Sequence, residues 1–350
     1  MTRAASIRSL LQDGRDARQF SAAAWAVGDL GGSIDRGLVG TLAWGGDPVT
    51  SHSRWDLASV TKPIVGIAVL SLIESGELRL DDRVADHLPD CVGSNTASLR
   101  VRDLLTHSSG LPGSTPLYLD HPTRTGLLAA VRALPLLAPP GTAVVYSSAG
   151  FILLGLIAEA ASGRPLDRLV QERVLAPVGM LDTGFGLAAE RRPTAVATED
   201  DPWRGRIVQG EVHDENAVVL ERPAGHAGLF STLADMERLG RALIDGGGAL
   251  LSPAAYREMI APRTDHLALR RAFAWQGTDA VGSPAGDLAG PNSYGHTGFT
   301  GTSLWVDPDA GRYVVLLTNR VHPTRAERGF TPLRRAVHDA AFAASAPVRV

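Results

Sequence analysis

One residue type is almost missing from this 350-residue chain, and its single occurrence stands beside a hydroxyl. Of 34 lysine and arginine residues only Lys62 is a lysine, leaving 33 arginines. The difference matters because a buried ammonium can give up its proton, whereas a guanidinium stays charged. A position that keeps lysine against such a bias is a candidate for proton transfer. Ser59 lies three residues earlier, in Ser59-Val60-Thr61-Lys62, so at a helix start the two side chains share one face. A serine hydroxyl is a weak nucleophile until a base takes its proton, and a neutral amine within hydrogen-bond reach is such a base. Residues 63–73 carry no charge, which predicts a helix buried on every side. Pro63 fits only near its start, so Ser59 falls at the N-terminus and Gly76 at the end. Backbone N–H groups at such a terminus suit the oxyanion of a tetrahedral intermediate.

Two further stretches complete a pattern with Ser59-Val60-Thr61-Lys62: YSS at 146–148, preceded by PPGTAVV, and HTG at 296–298 within YGHTGFTGTSLWVDP. With the lesser landmarks LLTHSSGLP at 104–112 and GHAGLFST at 225–232, the sequence from about 20 to 340 resembles the penicillin-recognising serine hydrolases. The resemblance is to their class C β-lactamase, DD-peptidase and family VIII esterase branch. It implies that Ser59 is the acylated nucleophile, that Lys62 and Tyr146 share the proton traffic, and that the backbone N–H groups of Ser59 and Phe299 form the oxyanion hole. The expected substrate-binding set is Ser148, His296, Thr297 and Gly298 of those elements, with His226 added because the glycines around it permit close backbone approach. No metal or organic cofactor is implied.

Departures from the family pattern bear on substrate. Ser148 stands where the β-lactamases and peptidases carry asparagine, replacing a side-chain amide by a shorter hydroxyl. His296 stands where the β-lactamase strand has a permanent ammonium, which weakens recognition of a carboxylate at neutral pH. These changes favour an esterase-like serine hydrolase acting on ester or activated acyl substrates. The same acyl-enzyme would serve an acyltransferase, an amidase, a D-amino-acid peptidase or a β-lactamase. A non-catalytic binding or sensor domain is the alternative of another class, and the sparing of Lys62 speaks against it. His107 reads as a hydrogen-bonded structural residue, while His213, Asp214 and Asn216 either line the cleft or close a loop. Trp203, Trp275, Phe299 and Trp305 are possible cleft walls.

The elements that must position these residues come from the two ends of the chain and its middle. Residues 4–19 read as a helix, 22–29 and 37–44 as a hairpin turned by Gly31, Gly32 and Asp35, and 54–57 as a strand. Helical signals recur at 101–105, 126–134, 148–161 and 166–174, and again at 231–245 with Thr232 and Asp235 as a capping pair. Strand-like runs follow at 273–280, 302–307 and 313–319, before a closing helix at 333–344. These elements suggest an α+β fold, an antiparallel sheet flanked by helices with an inserted, mainly helical lobe, and the resemblance implies that it is β-lactamase/transpeptidase-like. Residues 1–80 and 231–350 would form the discontinuous sheet domain and 81–230 the helical lobe, with the site in the cleft between them.

Composition narrows the partners. With 44% hydrophobic and 20% charged residues the chain is globular rather than disordered. A formal net charge of -3 gives no electrostatic reason for a nucleic acid or membrane partner, so a small-molecule or peptide-like acyl substrate is expected. A single cysteine, Cys91, excludes an internal disulfide and a multi-cysteine zinc site. The charged first 20 residues lack a secretory signal pattern, and no apolar run reaches the length of a membrane span; a cytoplasmic protein is the expectation.

Overall fold

The computed structural model of the chain describes residues 6–113 and 115–343. Among them eleven strands form: β1 (Ala22–Asp29), β2 (Gly32–Gly40), β3 (Trp55–Asp56), β4 (Gly184–Phe185), β5 (Ala197–Asp201), β6 (Arg206–Gln209), β7 (Leu229–Ser231), β8 (Gln276–Gly277), β9 (Tyr294–Thr297), β10 (Ser303–Asp307) and β11 (Arg312–Thr318). Both ends of the sequence contribute to one antiparallel sheet in the order β2-β1-β11-β10-β9-β8, with Trp25 opposite Leu316 on one side and Gly37 on the other. Because side chains alternate along a strand, Ala23, Trp25 and Val27 of β1 pack under α1 (Ile7–Asp16) and the C-terminal helix Phe330–Ala343. Ala22, Ala24 and Ala26 face the main core on the other side. A strand covered on both faces is apolar throughout, as β1 is.

The expected hairpin is present but tighter. β2 begins at Gly32 instead of 37, the connection is Leu30-Gly31, and Asp29 Oδ1 accepts the Gly31 N–H at 2.8 Å. Asp35 lies within the strand. The reason is that β2 is an edge strand whose first half faces solvent, so its polar residues carry no readable alternation. The run 273–280 shortens to Gln276–Gly277, because residues 272–275 close a turn, Ala272 N–H to the Trp275 carbonyl at 3.0 Å, with Ala274 at φ 65. The expected terminal helices are Ile7–Asp16 and Phe330–Ala343; residues 4, 5 and 344 of the predicted spans lie outside the described residues.

Between 81 and 230 the helices Val101–Leu105, Arg124–Ala133, Ser148–Ser162 and Leu166–Val170 sit where the sequence places them. The short strands β4, β5 and β6 were not expected there. β4 joins β7 and β3 in a small sheet that ties this region to the segment entering the Ser59 turn. Helix Leu233–Ile244 starts as predicted with Thr232 accepting the Asp235 N–H. The Asp235 carboxylate does not return the bond; it takes the Asp182 N–H and the Thr183 hydroxyl, both at 2.8 Å.

At the centre runs α2 (Thr61–Glu74), buried without a break from Thr61 to Leu72. A helix with no polar face can exist only where protein covers every side, which fixes Lys62 in the interior. Cys91 is buried and free.

Candidate active site

Ser59 stands in the 3-10 turn Ala58–Val60 that leads into α2. The turn is entered through Ala58 at φ 46, a left-handed conformation that costs a non-glycine residue energy. Asp56 sustains it: one carboxylate oxygen accepts the Ala58 N–H at 2.8 Å and the other the His213 N–H at 2.7 Å. Burial pushes the Asp56 carboxyl above its ordinary value despite those two donors. The motif around 213 therefore closes a loop onto the Ser59 segment. Its His213 ring stacks on Phe299 at 5.7 Å and meets Glu199 at 3.0 Å, while Asn216 holds the Tyr118 N–H and the Thr115 carbonyl.

Lys62 follows one turn on, wholly buried. Its Nζ lies 3.0 Å from Ser59 Oγ and donates to the His226 carbonyl, also at 3.0 Å. The Tyr146 ring centroid is 4.8 Å from the same nitrogen. The Tyr146 hydroxyl is buried without a hydrogen-bond partner among the described residues. His107 holds the Tyr146 backbone in place: its carbonyl accepts the Val145 N–H at 2.9 Å, and its Nδ1 accepts the Ser147 N–H at 3.1 Å. The His107 ring is flanked by Tyr146 at 4.6 Å and Phe151 at 5.0 Å. A ring nitrogen that accepts carries no proton, and burial pushes His107 well below its usual value. His107 is thus a structural residue that orients Tyr146.

The third segment arrives on β9. His296 is buried, donates Nδ1–H to the Thr297 carbonyl at 2.8 Å and has no partner at Nε2 among the described residues. Burial, followed by the charges of Lys62 and Arg271, holds it far below the ordinary histidine range. After β9 the chain clamps onto the Ser59 segment, Thr300 Oγ1 to the Asp56 carbonyl at 2.8 Å and Thr302 Oγ1 to the Leu57 carbonyl at 2.9 Å. Glycine at 298 is required by that approach, since a Cβ there would come within 2.0 Å of Thr302 Oγ1 and 2.5 Å of the Leu57 oxygen. Neither the Ser59 nor the Phe299 backbone N–H donates to a protein acceptor among the described residues.

Ser59, Tyr146, His296, Thr297, Gly298 and Phe299 share one pocket, with Lys62 beneath it. Two expected substrate-binding residues do not line that pocket. His226 is fully buried because its Nε2 turns to Asp214 Oδ1 at 2.8 Å, leaving only its carbonyl to Lys62. Ser148 opens the helix Ser148–Ser162 and lies outside the lining. Of the aromatic candidates, Trp275 and Trp305 belong to the core and Trp203 packs on Tyr118 at 5.1 Å. The sequence reading missed Arg271, Gln276, Arg320, Glu327 and Arg334, all of which line the pocket. Among the described residues no group of three or more His, Cys, Asp and Glu is placed to hold a metal ion, and no single helix is long and apolar enough to cross a membrane.

Sheet, flanking helices and this site together define the β-lactamase/transpeptidase-like fold of serine hydrolases and acyltransferases. Solved structures share it over almost their whole length. EstCE1, described as a hydrolase with promiscuous acyltransferase activity, superposes with a TM-score of 0.78 at 22% identity, covering 96% of this chain and 97% of its own. Unliganded simvastatin synthase LovD from Aspergillus terreus gives 0.75 at 20% identity, covering 97% of each chain. A β-lactamase from Mycobacterium bovis gives 0.66 at 22%, covering 95% and 98%. The sequence profile described as Beta-lactamase matches residues 7–338, and the chain belongs to that family. A relative from Escherichia coli K12 named "Putative D-alanyl-D-alanine carboxypeptidase" is 31% identical over 313 residues, 79% of this chain and 71% of its own.

Proposed function

We propose that the protein is an esterase-like serine hydrolase that works through an acyl-enzyme on Ser59. The observation that carries this reading is the wholly buried Lys62 Nζ at 3.0 Å from Ser59 Oγ. In its neutral form that amine takes the hydroxyl proton as the Oγ–carbonyl carbon bond forms. The carbonyl oxygen, now an anion, is met by the N–H groups of Ser59 and Phe299, which have no other protein acceptor among the described residues. The leaving group then departs with a proton from Lys62 or the unpartnered Tyr146 hydroxyl, and water or another nucleophile releases the acyl group.

A second reading, a D-amino-acid carboxypeptidase using the same steps, is favoured by the name of the Escherichia coli relative. Brief exposure to p-nitrophenyl esters of graded acyl length, to a penicillin and to a D-alanyl-D-alanine peptide, followed by intact-protein mass spectrometry, separates the readings by which probe leaves an adduct or is turned over. Ser59→Ala is expected to abolish the adduct and Lys62→Arg to slow acylation about 10²–10⁴-fold. Wild-type-like acylation in Lys62→Arg would overturn the proton-transfer role.

A further inference from the structure

Two stretches singled out in the sequence, EVHDENA at 211–217 and GHAG at 225–228, meet at Lys62. Asp214 caps the helix Glu215–Leu220, which ends at Glu221 in a left-handed conformation with φ 56, and the chain turns back through residues 222–228. Gly225 is pressed onto the helix Ser148–Ser162, where a Cβ would lie 2.1 Å from the Phe151 carbonyl oxygen. Leu229 then donates its N–H to Thr61 Oγ1 at 3.2 Å and accepts the Leu57 N–H at 2.9 Å. Tied on both sides, the His226 carbonyl stays within reach of Lys62 Nζ, from which it accepts at 3.0 Å. The His226 ring adds a third tie. It is wholly buried, and its Nε2–H donates to Asp214 Oδ1 at 2.8 Å, since a carboxylate only accepts. Nδ1 meets no partner among the described residues, so Asp214 is the anchor that orients the ring.

The charges around Lys62 give this anchor a second consequence. Residues 63–73 of its own helix carry none. Lys62 interacts electrostatically with His107, His296 and Asp214, and the Tyr146 ring at 4.8 Å has the Arg271 guanidinium on it. Asp56, just before the Ser59 turn, is occupied by the Ala58 and His213 N–H groups. Burial keeps both His107 and His296 neutral, and Arg271 is itself a cation. Burial opposes the Asp214 charge as well, but the His226 ring and the Ala217 N–H outweigh it and keep the carboxyl ionised. A buried amine that takes up a proton becomes a buried ammonium, which is costly unless an opposite charge stands near.

We propose that Asp214, anchored through His226, is the counter-charge of Lys62 and a positioning residue for acylation that acts through the lysine. The Ser59 O–H bond breaks as the Oγ–carbonyl carbon bond forms, the proton moves to Nζ, and the Asp214 carboxylate stabilises the resulting ammonium without exchanging a proton itself. The proposal deepens the Ser59 acyl-enzyme reading and rests on it. Neither Asp214 nor His226 belongs to the motifs at 59–62, 146–148 or 296–298.

The test uses the scarcity of lysine. With one lysine in the chain, protein labelled with 15N at the lysine side chain gives a single such resonance, which reports directly whether Lys62 is amine or ammonium. Titrated between pH 6 and 10.5, Asp214→Asn is expected to lose the Lys62 proton about 0.5–1 pH unit earlier than wild type. The acidic limb of kcat/KM for p-nitrophenyl butyrate should move with it, and the plateau should fall about three- to tenfold. Asp214→Glu, which keeps the charge, should stay close to the wild-type midpoint. Thermal unfolding checks each variant; should Asp214→Asn not fold, Asp214→Ser keeps a capping hydroxyl, removes the charge and carries the same test. Superimposable Lys62 titrations in wild type and the uncharged variant, or no titration in either, overturn the proposal, as does an Asp214→Glu midpoint displaced as far as that of Asp214→Asn. A displaced midpoint without any Ser59 adduct or ester turnover in wild type overturns the acyl-enzyme reading and leaves the electrostatic pairing of Asp214 with Lys62 standing.

Discussion

At the scale of single residues the site rests on contacts that tolerate almost no displacement. Gly298 shows how tightly. Its α-carbon passes so near Leu57 and Thr302 that an added methyl would overlap both, and that contact holds the Phe299 N–H beside the Ser59 turn. Gly298→Ala is expected to destabilise the fold by about 1–3 kcal/mol, as overpacking does. Acylation by a neutral p-nitrophenyl ester should fall by about 10²-fold or more, the scale of losing one oxyanion donor. Urea denaturation and single-turnover kinetics on the same preparation check both; unaltered acylation would show that the 298–302 turn does not set the oxyanion geometry. Ser59 and Lys62 were legible in sequence because a strong composition bias left one lysine standing. The same bias hid Arg271, Arg320 and Arg334, since in a chain with 33 arginines none stands out until the fold shows which line the pocket. His226 misled for a related reason. Sequence places it beside glycines, but only the structure shows its ring turned inward to Asp214 and its carbonyl serving Lys62.

Elements long enough to show a period were the most legible. α2 announced itself by eleven uncharged residues from 63 to 73; the two-residue β3 falls inside the strand expected at 54–57 and β8 inside the run 273–280, but the two-residue β4 carries no pattern of its own. The six-residue helix Glu215–Leu220 is another such element, and it supports the site from behind. Asp214 caps it by accepting the Ala217 N–H at 2.8 Å and also holds His226, whose carbonyl receives Lys62. Burial by itself would raise the Asp214 carboxyl, but the His226 ring, the Ala217 N–H and Lys62 hold it below the ordinary carboxylate range. A depressed carboxyl contributes stability above its unfolded value and loses it as pH falls through the folded one. Asp214→Asn keeps an N-cap oxygen and removes only the charge. It is expected to cost about 1–2 kcal/mol at pH 7, the partly exposed edge of the carboxylate reducing the value for a fully buried pair. The gap between wild type and variant should narrow between pH 4 and 2. A gap that stays constant down to pH 2 would assign the loss to packing instead of charge.

The whole molecule is fastened by histidines that must stay neutral. His322 donates Nδ1–H to the Thr198 carbonyl at 2.7 Å and accepts the Trp44 N–H at 3.2 Å, joining three distant stretches of chain. His338 donates to the Pro284 carbonyl and accepts the Ser303 hydroxyl, at 2.8 and 2.9 Å, fastening the C-terminal helix to the sheet. His107 accepts at Nδ1 from Ser147, and His296 faces Lys62 and Arg271. In His322 and His107 protonation would turn an acceptor into a second donor facing a backbone N–H, whereas at His338 the Ser303 hydroxyl can rotate to accept and burial alone opposes the charge. Burial is the leading cause that lowers all four, with His338 pulled down to about 3. The sign then follows from linkage. Below the unfolded value of about 6.5 the unfolded chain takes up protons that the folded chain refuses, so stability falls as pH drops. Each such histidine contributes a slope approaching about 1.4 kcal/mol per pH unit. Urea titrations at pH 7.5, 6.5, 5.5 and 4.5 should therefore show a progressive loss that begins before the depressed carboxyls of Asp214 and Glu199 start to lose their contribution. His338→Gln, which keeps one donor and one acceptor, should flatten the slope by one histidine's share while leaving the pH 7.5 stability closest to wild type. A stability that is level from pH 7.5 to 5 would mean that these rings accept protons in place, and that the neutral hydrogen-bond pattern is not what joins the sheet to its surroundings.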